Sequence, residues 1–350
     1  MLFLKFHNRI AQYLQAGKIE SAGPKDGTLF EQTKRLATWH YQWFVRYDFL
    51  SKIVQPDVLW DILMRWPKLY RPSAKSEAER VRLPVEFTLA AYQFGHTAVQ
   101  RKYTLNQYIG FRSLEHTMFL TGFYGFKDVP GIPTPETPRL PALAVVDPGR
   151  MFGWVSGGKR NLAEDFDTLI APKLFDIPAQ IAIVFTLSDS QNLKGAKNRL
   201  NRNAGLLSNL PLATLLRGSL VGIPSGQEAC ALAGVEPLGR DQVGRDDETT
   251  NFLRRHGMLD RTPLYYYLMR EAEVAGRRTP DGLPAKCLGP LASRIVAEVL
   301  LGVLVADPDS IVYSDWRPPP VDFGTGDSPT PIDTLKKFSF FANGYSSEND

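Results

Sequence analysis

The stretch LPVEFTLAAYQFGHTAV, residues 83–99, decides how this sequence is interpreted. Its apolar residues recur at helical spacing after a proline that suits a first helical position, so the stretch predicts a largely buried helix. His96 interrupts the apolar face and follows Gly95, where a side chain is missing. A buried imidazole needs partners for both ring nitrogens. The residues alone leave two interpretations open, a core histidine satisfied by a carbonyl and a neighbouring side chain, or the ligand of a metal.

The composition is that of an ordinary globular protein. A chain of 350 residues, 43% hydrophobic and 22% charged, can bury a large core as one big domain or two moderate ones. The formal charge of +4 indicates no polyanionic partner, and the basic run 194–202 is interpreted as a solvated face rather than a nucleic-acid site. Two cysteines are too few for a disulfide framework, and neither has nearby residues in the spacing of a zinc site.

No segment has the length and apolar character of a membrane span. The longest apolar run, residues 295–306, is too short and contains Glu298, so we interpret it as a core helix. The first residues lack the basic region and cleavage site of a signal peptide and resemble the interior of a helix. This start suggests that an upstream portion is missing, and the compartment stays open.

The pattern predicts a mainly α protein, one large helical domain with few or no strands, because period-2 alternation and hairpin signals are scarce. The proline-rich segment 129–149 is expected to be a surface excursion, and the tail 318–350 to be extended apart from 331–341. Residues 166–188 and 192–205 are expected to be helix-and-turn material. Apolar spacing predicts helices over residues 2–13, 28–48, 57–66, 83–99, 247–255, 263–275 and 288–305.

Several stretches together resemble the animal-type haem peroxidase superfamily, and they extend over nearly the whole chain. The segment at 90–99 is similar to the family's Arg-Phe-Gly-His segment, and that at 212–227 to its Asn-Leu-Leu-Arg-Gly segment. No single match would suffice. The stretches are LFLKFHNRIA (2–11), ATWHYQWFVRYDFL (37–50), AAYQFGHTAV (90–99), LATLLRGSLVGIPSGQ (212–227), TPLYYYLMREAE (262–273) and LGPLASRIVAEVLLG (288–302).

The resemblance implies roles for four residues. His96 matches the proximal histidine that ligates haem iron, which would make it this chain's metal ligand. Arg217 matches an arginine that pairs with a haem propionate, although a surface arginine at a helix end is the alternative. Thr214 stands where the family has an asparagine that accepts the histidine N–H, and a hydroxyl can accept that bond with a shorter reach. Gln93 stands where an arginine helps to hold a propionate; it carries no charge but can donate a hydrogen bond, and it is expected to hold the propionates together with Arg217. In cyclo-oxygenases that position is the radical tyrosine.

The family's distal histidine, distal arginine and calcium loop lie upstream of the His-Asn-Arg helix, inside which this chain begins. We therefore expect no catalytic residue and no calcium site in these 350 residues. His7 belongs to the signature helix, His40 lies in an aromatic stripe, and His116 and His256 have no residues of a distal motif beside them. All four are expected to be structural.

Two functions are consistent with this pattern. The first is a haem-binding protein whose intact relatives reduce hydrogen peroxide while oxidising a small donor, with weak or no turnover in this chain. The alternative is a degenerate, non-catalytic scaffold or interaction module without cofactor. A separate chain could also supply the distal half, docking on exposed apolar residues of the first helix such as Leu2 and Phe6. The reducing substrate is not indicated.

Overall fold

Helices make up most of the described part of the chain, which confirms the predicted mainly α class. The computed structural model describes residues 2–22, 27–65, 69–70, 81–104, 106, 111–114, 147–152, 161–177, 208–275, 287–323 and 328–344. The predictions for 129–146, 178–188 and 192–205 lie outside the described residues, as does His116. Among the described residues, no helix is both long enough and apolar enough to cross a bilayer.

The α-helices, in chain order, are α1 Leu2–Gln15, α2 Leu29–Trp43, α3 Leu50–Ile53, α4 Pro56–Arg65, α5 Val85–Leu89, α6 Pro148–Phe152, α7 Leu210–Val221, α8 Gly226–Ala233, α9 Arg240–Val243, α10 Asp247–Arg255, α11 Leu264–Ala275, α12 Pro290–Ala306 and α13 Leu335–Asn343. A π-helical turn covers Phe44–Phe49, and 3₁₀ turns cover Ala91–His96, Pro172–Phe175 and Ile311–Tyr313. Two short antiparallel pairs complete the described elements, β1 Lys102–Thr104 with β2 Phe111–Ser113 and β3 Pro320–Val321 with β4 Thr330–Pro331.

The chain divides into two compact units, and the predicted domain limits stay a prediction. Unit 1 consists of residues 1–83, 148–160 and 296–350, and unit 2 of residues 84–147 and 161–295. Within the tail predicted to be extended, α13 forms inside unit 1 and begins in the segment 331–341 that the sequence set apart.

The core of unit 1 forms where α1 packs against α2 and α13. Thr28 caps α2, since its side chain accepts from the Glu31 N–H while the Glu31 carboxylate accepts from the Thr28 N–H. Phe6 is fully buried in this core and contacts the ring of Phe338 at 4.4 Å between centroids. The prediction that Phe6 is exposed at an interface is therefore wrong, because α1 turns its Phe6 face toward α13. Leu2 is only half-buried and packs against the same cluster.

The predicted helix over 83–99 is broken in the structure. Pro84 precedes α5 in an extended conformation, with φ −60° and ψ 144°, instead of taking the first helical position. Ala90, at φ −135° and ψ −68°, separates α5 from the 3₁₀ turn that ends at His96. The side chain of Gln93 donates to the carbonyl of Thr88 across this break, at 2.6 Å, and stabilises it. His96 therefore lies at the end of a tight turn and not in the middle of a helix.

Candidate functional site

The residues singled out in the sequence lie on two packed segments of unit 2. Helix α7 packs against α5 and α11, and the 3₁₀ turn packs against α11. Residues three apart eclipse each other in a 3₁₀ turn, so Gln93 and His96 share a face. Thr214 and Arg217, also three apart, are neighbours on α7. Asn209 begins α7 by accepting a hydrogen bond from the Leu212 N–H at 3.0 Å.

His96 is half-buried and holds an uncharged imidazole at neutral pH. Its Nδ1 is shielded from solvent and has no hydrogen-bond partner in the described part of the chain. Burial, followed by the positive charge of Arg217, lowers the pKa of His96 to about 4. A Cβ added at the adjacent Gly95 would meet nothing within 4 Å. Open space therefore lies beside the residue that precedes His96, and the imidazole has the protonation state that a metal ligand requires.

Arg217 lies on the exposed side of α7, and its charge acts on His96. Its Nε donates to the carbonyl of Ala213 at 3.2 Å, which holds the guanidinium along its own helix. Among the described residues, no carboxylate forms an ion pair with Arg217. The structure thus brings Arg217 and His96 within electrostatic reach and leaves a guanidinium able to bind an anion.

Thr214 and Gln93 use their hydrogen-bond donors locally. The buried Thr214 hydroxyl donates to the Leu210 carbonyl at 3.0 Å, one turn back on α7. The Gln93 amide donates to Thr88, as described above. Neither side chain forms a hydrogen bond with His96 within the residues that the structure describes. The Thr214 oxygen retains lone pairs that can accept a hydrogen bond.

Tyr265 on α11 is a neighbour of His96 that no sequence motif singles out. The two rings meet edge to face, with centroids 6.4 Å apart and an interplanar angle of 75°. Tyr265 is 5% exposed, and its hydroxyl has no hydrogen-bond partner in the described regions. Burial raises the pKa of this phenol above its usual value. The sequence signal was its position on an apolar stripe with Leu268 and Met269, three and four residues further on.

The other described histidines differ from His96 in their surroundings. His40 is fully buried in unit 1, its Nδ1 donates to the Leu36 carbonyl at 2.7 Å, and its ring lies 4.9 Å from that of Trp316. Burial lowers the pKa of His40 to about 4. His256 is exposed at the end of α10. No group of three or more His, Cys, Asp or Glu suited to a metal ion occurs among the described residues.

A haem iron needs only one protein ligand on its proximal side, so a single imidazole with a neighbouring cation fits that group, whereas a multidentate metal site would require more. No curated protein matches the chain. Residues 1–123, which include Gln93 and His96 but neither Thr214 nor Arg217, match the family model described as animal haem peroxidase. This match supports membership of the chain in the animal haem peroxidase superfamily.

Proposed function

We propose that this chain binds haem, with His96 as the iron ligand. The observation that carries the proposal is the state of His96, a neutral imidazole with an unpartnered Nδ1, beside the charge of Arg217 and the open space at Gly95. A ligating histidine must be unprotonated, and a pKa of about 4 removes competition from protons at neutral pH. The iron would contribute redox chemistry toward peroxide when haem is bound.

The remaining residues would orient the ligand and the cofactor. Arg217 would bind a propionate, because its planar guanidinium can donate two parallel hydrogen bonds to a carboxylate. The Thr214 hydroxyl would accept the N–H of His96 through its free lone pairs while it continues to donate to Leu210. Gln93, engaged with Thr88, would hold the turn that presents His96 and would leave the propionate to Arg217.

Peroxide turnover by these 350 residues is predicted to be weak. Cleavage of peroxide needs a base that moves a proton between its two oxygens and a cation that stabilises the departing one. His40 is sealed in an aromatic core with its Nδ1 committed to Leu36, and His256 is exposed at a helix end. The remaining described histidine, His7 on α1, lies beside Asn8. It has no carboxylate partner among the described residues that would orient it as a base.

Reconstitution with hemin tests this proposal. We expect the purified chain to give the Soret band and resonance Raman spectrum of a histidine-ligated haem, and His96→Ala to lose both. His256→Ala is the matched control, since it removes an exposed imidazole from the same unit. Absence of a histidine-ligated spectrum would overturn haem binding. A peroxidase rate typical of ordinary enzymes, about 1–10³ s⁻¹, would overturn the prediction of weak turnover.

One observation favours a second candidate, a non-catalytic scaffold. Thr214 and Gln93 both satisfy their donors on neighbouring carbonyls, as residues that only pack would do. A scaffold would show no haem spectrum in wild type or in His96→Ala. In a scaffold, His96→Ala would also cost no hydrogen bond at Nδ1, because that buried atom has no described partner to lose.

A further inference from the structure

A cavity of about 550 Å³ in unit 2 is lined by residues of α7, α8, α10 and α11. Its volume falls in the range of about 300–1,000 Å³ that is typical of small-molecule sites. Aliphatic, thioether and aromatic side chains dominate its wall, among them Leu215, Ile223, Phe252, Leu253 and Met258. A cavity of this composition favours a largely apolar occupant.

The charged residues of the wall are already paired. Arg261 forms an ion pair with Glu228 at 3.2 Å, and Glu228 also accepts hydrogen bonds from the backbone and side chain of Ser225, which caps α8. Among the residues that the structure describes, these two are the charged side chains that line the cavity. A charged ligand would therefore meet no uncompensated opposite charge, and the wall favours a neutral molecule.

Most hydroxyl groups of the wall are also committed. Thr214, Thr249, Thr262 and Tyr266 each donate within the protein, to Leu210, Asp246, Met258 and Val243 respectively. Apart from the exposed Ser219, the exception is Tyr265, whose buried hydroxyl has no described partner. A buried donor without a partner is unfavourable, so a ligand that accepts from it gains affinity.

We propose that this cavity binds a neutral, largely apolar small molecule with one hydrogen-bond acceptor, and that the Tyr265 hydroxyl donates to that acceptor. An aryl ketone has this chemistry. The site is separate from the proposed iron ligand, since His96 does not line the cavity, although Tyr265 contacts both. The proposal does not require haem, and it is tested on the full chain without haem.

The test compares two probes of nearly the same shape, 2-acetylnaphthalene and 2-isopropenylnaphthalene, of which the first carries an acceptor. Fluorescence titration should show that the wild type binds the ketone more tightly than the hydrocarbon. Tyr265→Phe should weaken ketone binding about three- to tenfold, the effect of one neutral hydrogen bond, and leave the hydrocarbon unchanged. Equal ketone affinity in wild type and Tyr265→Phe would overturn the proposal.

A second pair of variants tests the location on the same helix. Ser219 lines the cavity from an exposed position, so Ser219→Trp should block both probes without disturbing the core. Leu220 is 85% exposed and does not line the cavity, and Leu220→Trp is the matched control that should bind both probes normally. Full ketone affinity in Ser219→Trp would also overturn the proposal, as would failure of the wild type to bind either probe.

Discussion

The pH dependence of stability should reveal a buried carboxyl group, Glu271, in unit 2. Glu271 is 1% exposed and accepts hydrogen bonds from the backbone N–H groups of Leu291 and Ala292, at 2.9 and 3.4 Å, at the beginning of α12. Burial raises the pKa of Glu271 from 4.5 to about 7, against the opposing effect of these two N–H groups. Gly289 makes room for the carboxyl, since a Cβ there would lie 2.4 Å from Glu271 Oε2.

The sign and size of the effect follow from this pKa. The folded chain holds the proton more tightly than the unfolded chain, so the stabilisation by protonated Glu271 is complete below pH 4.5 and is lost as the pH rises through about 7. At about 1.4 kcal/mol per tenfold change in proton affinity, the loss is about 3 kcal/mol. His40 and His96, with pKa values lowered to about 4, act in the opposite direction and lose their stabilisation as the pH falls from 6.5 to about 4.

Because these effects overlap, the measurement must be a difference between variants. Glu271→Gln cannot ionise but keeps an oxygen that can accept from Leu291. Urea unfolding followed by far-UV circular dichroism, from pH 4.5 to 8, should show the wild type losing about 3 kcal/mol relative to this variant. Glu236→Gln, at an exposed position of the same unit, is the control and should follow the wild type. A constant difference between Glu271→Gln and wild type would refute the reasoning.

Two further predictions concern a close contact and a charge. Gly226→Ala should destabilise the chain by about 3 kcal/mol in the same urea assay, because the added Cβ would lie 2.0 Å from Cγ of the fully buried Tyr267. Gly95→Ala is the control, because open space surrounds Gly95, and equal stabilities of the two variants would contradict the clash. Arg217→Gln should raise the pKa of His96, measured by NMR titration of its imidazole, because it removes a nearby positive charge. An unchanged titration of His96 would exclude this electrostatic contact, and Arg254→Gln, on exposed α10, should have no effect.

Helices with clear end signals were predictable from the sequence. The prediction of 247–255 coincides with α10, whose preceding Asp246 accepts from the Thr249 N–H and caps the first turn. The break at Ala90 was not predictable, because neither glycine nor proline marks it. It depends on the side chain of Gln93 reaching back to Thr88, a contact that apolar periodicity does not encode.

The candidate site was predictable where it depends on residue identity and not where it depends on packing. Resemblance identified His96 and Arg217, and the structure places the positive charge of Arg217 within electrostatic reach of the imidazole of His96. Tyr265 and the cavity were missed because both depend on the packing of α11, which meets α7 at the cavity and meets the 3₁₀ turn where the rings of Tyr265 and His96 lie 6.4 Å apart between centroids. Three consecutive tyrosines gave no means of telling which one faces His96.

The two unpartnered polar atoms where His96 meets Tyr265 distinguish a binding protein from a scaffold by the free energy that they cost. The Nδ1 of His96 and the hydroxyl of Tyr265 are both buried without a described partner, and each such group costs about 1–3 kcal/mol. A protein that only packs would gain stability from an apolar side chain of the same shape at either position. A protein that binds a ligand there recovers the cost on binding, so haem or a ketone should raise the unfolding temperature of the wild type more than that of His96→Ala or Tyr265→Phe, respectively. The ligand-dependent part of the stability, and not the stability of the free chain, is therefore the quantity that distinguishes the two functions.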